Sequence, residues 1–172
     1  MFDLQFAVKD ISSLAARYDF KDDTAAIDAG ARISHGDFSR ENLETIFEWK
    51  TKGRGRSRLT KNSDDEIVDA LKLALEAKTP RAGIAVLTGL DGVDVPVASA
   101  ILAATKPADH TIIDWRALHA LDVYVSNVTI KLYLTYLRHC RKLAAMGAVT
   151  LRELDRAMWQ WSKEQGIARN DL

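Results

Sequence analysis

Apolar residues recur at helical spacing through most of the chain. Ile67, Ala70, Leu71, Ala74 and Leu75 fall at steps of three and four and predict an apolar stripe along "DDEIVDALKLALEAK". Ser63 with Glu66 predicts a capping box at its start. Leu43, Ile46, Phe47 and Lys50 place another helix behind Ser39. Thr79 and Pro80 form a cap and first-turn pair for the next. A helix near 115 to 121 follows Asp114, and a longer one near 128 to 146 is ended by Gly147. Thr150 and Glu153 make a second capping box, opening a helix with Leu151, Leu154, Met158 and Trp161 on one face. At the other end, Phe6, Ile11, Leu14 and Tyr18 predict a helix over about 3 to 18, and a short one follows "KDDT" through Ala26 and Ile27. "TKGRGRSRLTKN" breaks the periodicity and reads as a loop. Strand patterns are short and scattered. The expected class is therefore all-α, with residues 1–172 forming one compact multi-helix domain.

Charge and cysteine content narrow the function. Lys and Arg number 24, and Asp and Glu also number 24, so any basic surface must be local. The single cysteine, Cys140, excludes an internal disulfide and an all-cysteine metal site within this chain. That usage, with no secretory signal pattern in "MFDLQFAVKD", reads as a cytoplasmic protein. No segment approaches eighteen uncharged apolar residues, so no membrane partner is expected. His35, His110 and His139 show no metal-ligand spacing with carboxylates or Cys140, and neither metal nor cofactor is expected.

The strongest local charge is "KTKGRGRSRLTK", which holds Lys50, Lys52, Arg54, Arg56, Arg58 and Lys61 with no acid among them. Interleaved Gly53, Gly55 and Ser57 suit a chain that wraps a phosphate backbone. The bland alternative is a solvated loop balanced by the acids at 64 to 66. Arg138, His139, Arg141 and Lys142 form a second, less specific basic cluster.

Between Pro80 and Pro107, two apolar helices flank "LDGVD". Gly92 supplies a conformation that residues with a β-carbon avoid. Val93 can plug the gap between the helices. Ala98, Ser99 and Ala100 permit close helix approach. Such a hairpin can aim backbone N–H groups at a phosphate, or be only a tight turn between core helices. In "TIIDWRALHAL", Asp114 opens a helix. It can cap that helix, contribute a catalytic carboxylate, or do both.

Taken in order, "LDGVDVPVASAIL" and "KPADHTIIDWRAL" resemble the helix-hairpin-helix DNA glycosylase superfamily, over residues 80 to 122. The spacing from Gly92 to Asp114 agrees with that family without a gap. The resemblance implies duplex DNA as partner, contacts from Gly92, Val93 and Asp94 of the hairpin, and a catalytic role for Asp114 in base excision. There the carboxylate would stabilise the cationic sugar and orient or deprotonate water. Two departures change what is expected. Pro96 stands where bifunctional members carry a nucleophilic lysine, so only monofunctional chemistry is expected. Asp94 stands in place of the hairpin's second glycine, where its charge opposes a phosphate.

A flipped base needs an apolar or aromatic slot, for which Trp49, Trp115 and Tyr124 are candidates, each also suited to plain core packing. Arg116 is a candidate phosphate contact or a surface pair, and His119 reads as a satisfied core or surface histidine. The leading expectation is a DNA-binding, monofunctional N-glycosylase-like protein. One alternative is a non-catalytic DNA-binding module of the same fold. Another is a helical partner-binding protein that uses Trp159 and Trp161.

Overall fold

A computed structural model describes residues 2–20 and 22–167. Among them are ten α-helices and one short 3-10 helix, with no strand. The chain divides into two compact units, Lys21–His110 and Met1–Phe20 with Thr111–Leu172. No helix among the described residues is long and apolar enough to cross a membrane.

The Lys21–His110 unit holds α2 (Thr24–Ser34), α3 (Arg40–Thr51), α4 (Arg56–Leu59), α5 (Asp64–Glu76), α6 (Pro80–Leu87) and α7 (Val95–Thr105). α7 is the centre of the unit and packs on α2, α3, α5 and α6. It is apolar around most of its circumference, as a helix enclosed by others must be. Val95, Val97, Ala98, Ser99, Ala100, Ile101 and Leu102 are all buried. Close approach to α7 is seen further along, at Ala104. A Cβ on Gly30 of α2 would lie 2.3 Å from the Ala104 carbonyl oxygen, so the two backbones meet with nothing between them.

The predicted caps form. Ser63 and Glu66 make both hydrogen bonds of the box, and Thr79 Oγ1 accepts from the Ala82 N–H at 3.2 Å. Ile67, Ala70, Leu71 and Ala74 bury the α5 stripe. α2 runs further than its short expected length, because Ala29, Gly30 and Ile33 continue its buried face; Ile27 is exposed.

The other unit holds the 3-10 helix Val8–Asp10, α1 (Ile11–Ala16), α8 (Trp115–His119), α9 (Ile130–Gly147) and α10 (Leu151–Glu164). α1, α8 and α9 pack against α10. The helix expected from residue 3 does not begin until residue 8. Instead the Asp3 and Gln5 N–H groups donate to the Leu121 and Ala120 carbonyls, each at 3.0 Å. Phe2, Leu4, Phe6 and Val8 alternate in burial with exposed Asp3, Gln5 and Ala7, a period of two that no helix supports. At the end of α9, the left-handed residue is Ala148 (φ 51°), not Gly147. Space at Gly147 is tight: a Cβ there would lie 3.1 Å from Ile11 Cδ1 and 3.3 Å from Val8 Cγ1.

Candidate functional site

The basic segment is not wholly a loop. Lys52 closes α3 in the left-handed conformation (φ 56°), and Gly53 and Gly55 follow at φ 78° and 84°. These three turns return the chain into the single turn of α4, anchored by fully buried Leu59. Lys52, Arg54, Arg56, Arg58 and Lys61 are exposed, and Lys50 is half-buried. Acids of α3 face this turn. Glu44 meets Arg56 at 3.4 Å, and a Cβ on Gly53 would lie 3.1 Å from a Glu48 carboxylate oxygen. The expected balance from the acids at 64 to 66 does not arise there in the same way, since Asp64 pairs with Arg40 and Glu66 closes the capping box. A surface pair of the Arg56–Glu44 kind contributes about 0–1 kcal/mol, so it leaves Arg56 available to another anion.

This basic turn and the hairpin are one structural piece. Asn62, 8% exposed, donates through Nδ2 to the Leu59 carbonyl (2.8 Å) and the Asp91 carbonyl (3.0 Å). Its Oδ1 accepts from the Asp91 N–H at 2.8 Å. One amide thereby serves as a two-sided clamp between α4 and the hairpin. Gly92 (φ 84°) completes the junction, because a Cβ there would sit 2.9 Å from the Leu59 backbone nitrogen and 3.3 Å from Arg58 Cβ. Asn62→Ala is expected to lower the unfolding free energy by about 1–3 kcal/mol, the cost of stranding buried partners. A urea titration with an unchanged slope and an earlier midpoint checks this.

Within the hairpin, Val93 is buried. Its N–H donates to the Leu90 carbonyl at 3.1 Å. Asp94 is exposed and caps α7, with Oδ1 accepting from the Val97 N–H at 2.9 Å. The N–H groups of Gly92 and Asp94 have no protein acceptor among the described residues. The Val95 N–H, at the start of α7, has none either, so the three are the hairpin's candidate donors to an external oxygen. Pro96 sits in the first turn of α7, where a missing N–H costs nothing. Trp49, on α3, is half-buried and belongs to this same unit.

The carboxylate lies in the other unit. Asp114 is half-buried and extended (φ −150°), and its Oδ1 accepts from the Ala117 N–H at 3.0 Å to cap α8. The stretch before it is fixed from the core. Fully buried Tyr136 donates its hydroxyl to the Ile112 carbonyl at 2.7 Å. Burial pushes that phenol far above its ordinary value, so it remains a neutral donor.

Arg116, two residues on, is held between rings. Its guanidinium carbon lies 4.2 Å from the Trp115 ring centroid and 5.1 Å from that of Trp159. It also donates to Ser162 Oγ at a long 3.4 Å. Burial lowers its pKa, and the Asp114 charge opposes that. His119 Nδ1 lies 2.9 Å from the same Ser162 oxygen. A serine hydroxyl can accept from Arg116 and donate to His119 when the imidazole is neutral. Burial first, and then the Arg116 charge, lower the His119 pKa and favour that neutral form. Trp161 packs on Phe6 and His119, with ring centroids 6.0 and 5.2 Å away. Tyr124, 52% exposed, reaches His119 at 6.1 Å. Trp159 contacts Tyr18 and Phe20. Trp159 and Trp161 are both half-buried, each engaged by neighbours of its own unit.

Asn62 and Tyr136 were not among the residues that the sequence singles out. An asparagine in "TKNSDD" reads as a turn residue, and a tyrosine on an apolar stripe reads as core. Among the described residues, no group of three His, Cys, Asp or Glu side chains could hold a metal ion. No protein-family model, curated protein or solved structure matches the chain.

Proposed function

We propose that the protein binds duplex DNA through the basic turn and the hairpin, as a helix-hairpin-helix protein. The observation that carries this reading is the Asn62–Gly92 junction. It ties the turn that carries exposed Arg54, Arg56, Arg58 and Lys61 directly to the hairpin that holds the Gly92 and Asp94 N–H groups. Flexible arginines lose more entropy on binding a phosphate than arginines carried on a braced turn. Asp94 limits how closely a phosphate approaches the start of α7, so the arginines supply most of the attraction.

Changing Arg54, Arg56 and Arg58 together to Ala is expected to weaken binding to all duplexes alike. The slope of log affinity against log salt becomes shallower by about 1 to 3 units, as for up to three lost phosphate contacts. Fluorescence anisotropy over a salt series measures it; an unchanged affinity and slope would remove this turn from the interface.

The finer part of the reading is monofunctional base excision by Asp114. It is favoured by a half-buried carboxylate held at a defined helix start beside Trp115. The bond between the sugar C1′ and the base nitrogen breaks, and its electron pair leaves with the base. Asp114 opposes the positive charge that develops on the sugar. Water then bonds to C1′, its proton passing to the carboxylate and finally to the departed base. Base release over a panel of duplexes carrying alkylated, oxidised and deaminated bases tests this step. Binding without release from any of them leaves a DNA-binding module without excision.

A further inference from the structure

α9 carries no acidic residue from Ile130 to Gly147, yet it holds Lys131, Arg138, His139, Arg141 and Lys142. Tyr133, Tyr136, Leu137, Cys140, Leu143 and Ala144 are buried and define the inward face. At 3.6 residues per turn, Lys131, Thr135, Arg138 and Lys142 fall on the face diametrically opposite, and all four are exposed. Lys131, Arg138 and Lys142 have no carboxylate partner among the described residues; Arg138 donates only to Thr135 of its own helix, at 3.4 Å. In a chain with equal numbers of acids and bases, a helix face of cations alone is a segregated charge.

We propose that this face of α9 is a second contact surface for the phosphate backbone of nucleic acid, made by Lys131, Arg138 and Lys142. It deepens the DNA-binding reading and rests on it. The three cations are spread along roughly 16 Å of helix axis. A compact anion such as a single nucleotide meets only one of them. A duplex, with one charge for about every 1.7 Å of its length, meets all three without a required register. An anionic membrane is the poorer fit. A surface helix that binds lipid inserts an apolar face, and the apolar face of α9 is enclosed in the core of its own unit.

The test uses the full chain, a labelled duplex and a salt series. Lys131→Gln, Arg138→Gln and Lys142→Gln together are expected to make the slope of log affinity against log salt shallower by about 1 to 3 units. The charge-preserving set Lys131→Arg, Arg138→Lys and Lys142→Arg keeps the parental slope. If the triple Gln protein does not fold, Arg138→Gln alone is read, with an expected loss of about one unit. A parental slope in the Gln protein overturns the inference. If the Arg54/Arg56/Arg58 variant then still shows its loss, the basic-turn reading survives without α9. If the parent protein binds no duplex, both fall. Loss of binding to phosphatidylserine vesicles, with the duplex slope intact, replaces the nucleic acid with a membrane surface and also overturns it.

Discussion

Asp114→Asn is expected to cut base release by about 10² to 10⁴, the range for losing one general base or one charge-stabilising group. The same change should leave the unfolding free energy within about 1 kcal/mol. The two effects separate because the cap that Asp114 forms and the catalysis proposed for it ask for different chemistry. As a cap, its Oδ1 accepts from the Ala117 N–H at 3.0 Å, and an asparagine oxygen accepts that bond about as well. As a catalyst it must carry negative charge and take a proton, and an amide does neither. Arg116 is not expected to collapse in the variant, since Trp115, Trp159 and Ser162 hold its guanidinium independently of the carboxylate. If Asp114 meets DNA as proposed, affinity should hold or rise, since a negative charge near phosphates is lost. Asp114→Ala removes cap and charge together, and should lose release along with roughly 1 kcal/mol of stability. The comparison is made on a substrate that the parent cleaves. Full release by the Asn protein would leave Asp114 as a cap alone.

Local features were legible because their causes lie within a few residues. The Ser63–Glu66 and Thr150–Glu153 boxes, the Thr79–Pro80 start, and Asp94 and Asp114 as caps all close within one helical turn. The burial of Val93 and the positive φ of Gly92 likewise follow from the short "LDGVD" connection. What was missed depends on partners far along the chain. Residues 2 to 7 contain a period-two alternation, Phe2, Leu4 and Phe6, that competes with the helical spacing of Phe6, Ile11 and Leu14. The carbonyls of Ala120 and Leu121 decide between them, and no local pattern announces those. Gly30 of α2 acquires a role only once Ala104 is found against it. Asn62 is the clearest case in the candidate site. Its type suits a turn, and its role as a clamp exists only once the hairpin, 29 residues later in sequence, has folded back onto α4.

Gly92→Ala should lose more stability than conformational strain alone can explain, and Gly36 provides the measure of that strain. Both glycines have positive φ, 84° and 97°. An alanine at either costs about 1–2 kcal/mol for entering the left-handed region. A Cβ on Gly36 would meet nothing within 4 Å, so Gly36→Ala should show that cost and no more. At Gly92 the added carbon would lie 2.9 Å from the Leu59 nitrogen and 3.4 Å from the Arg58 carbonyl carbon. These are backbone atoms, and they move only if α4 moves. That overpacking adds a further loss of about 1–3 kcal/mol. The displacement has a second consequence, because α4 carries Arg56 and Arg58 and is tied to Asp91 through Asn62. A Gly92→Ala protein that remains folded should therefore bind duplex more weakly, although no charge has been removed. Its salt slope should stay near the parental value if the same arginines still reach phosphates from a poorer geometry. Urea titrations of the two variants, run beside anisotropy, decide the matter. Equal stability losses for Gly36→Ala and Gly92→Ala would mean that the basic turn and the hairpin are not in close contact in solution. The basic-turn arginines would then bind as a loose tether, with affinity unaffected by Gly92.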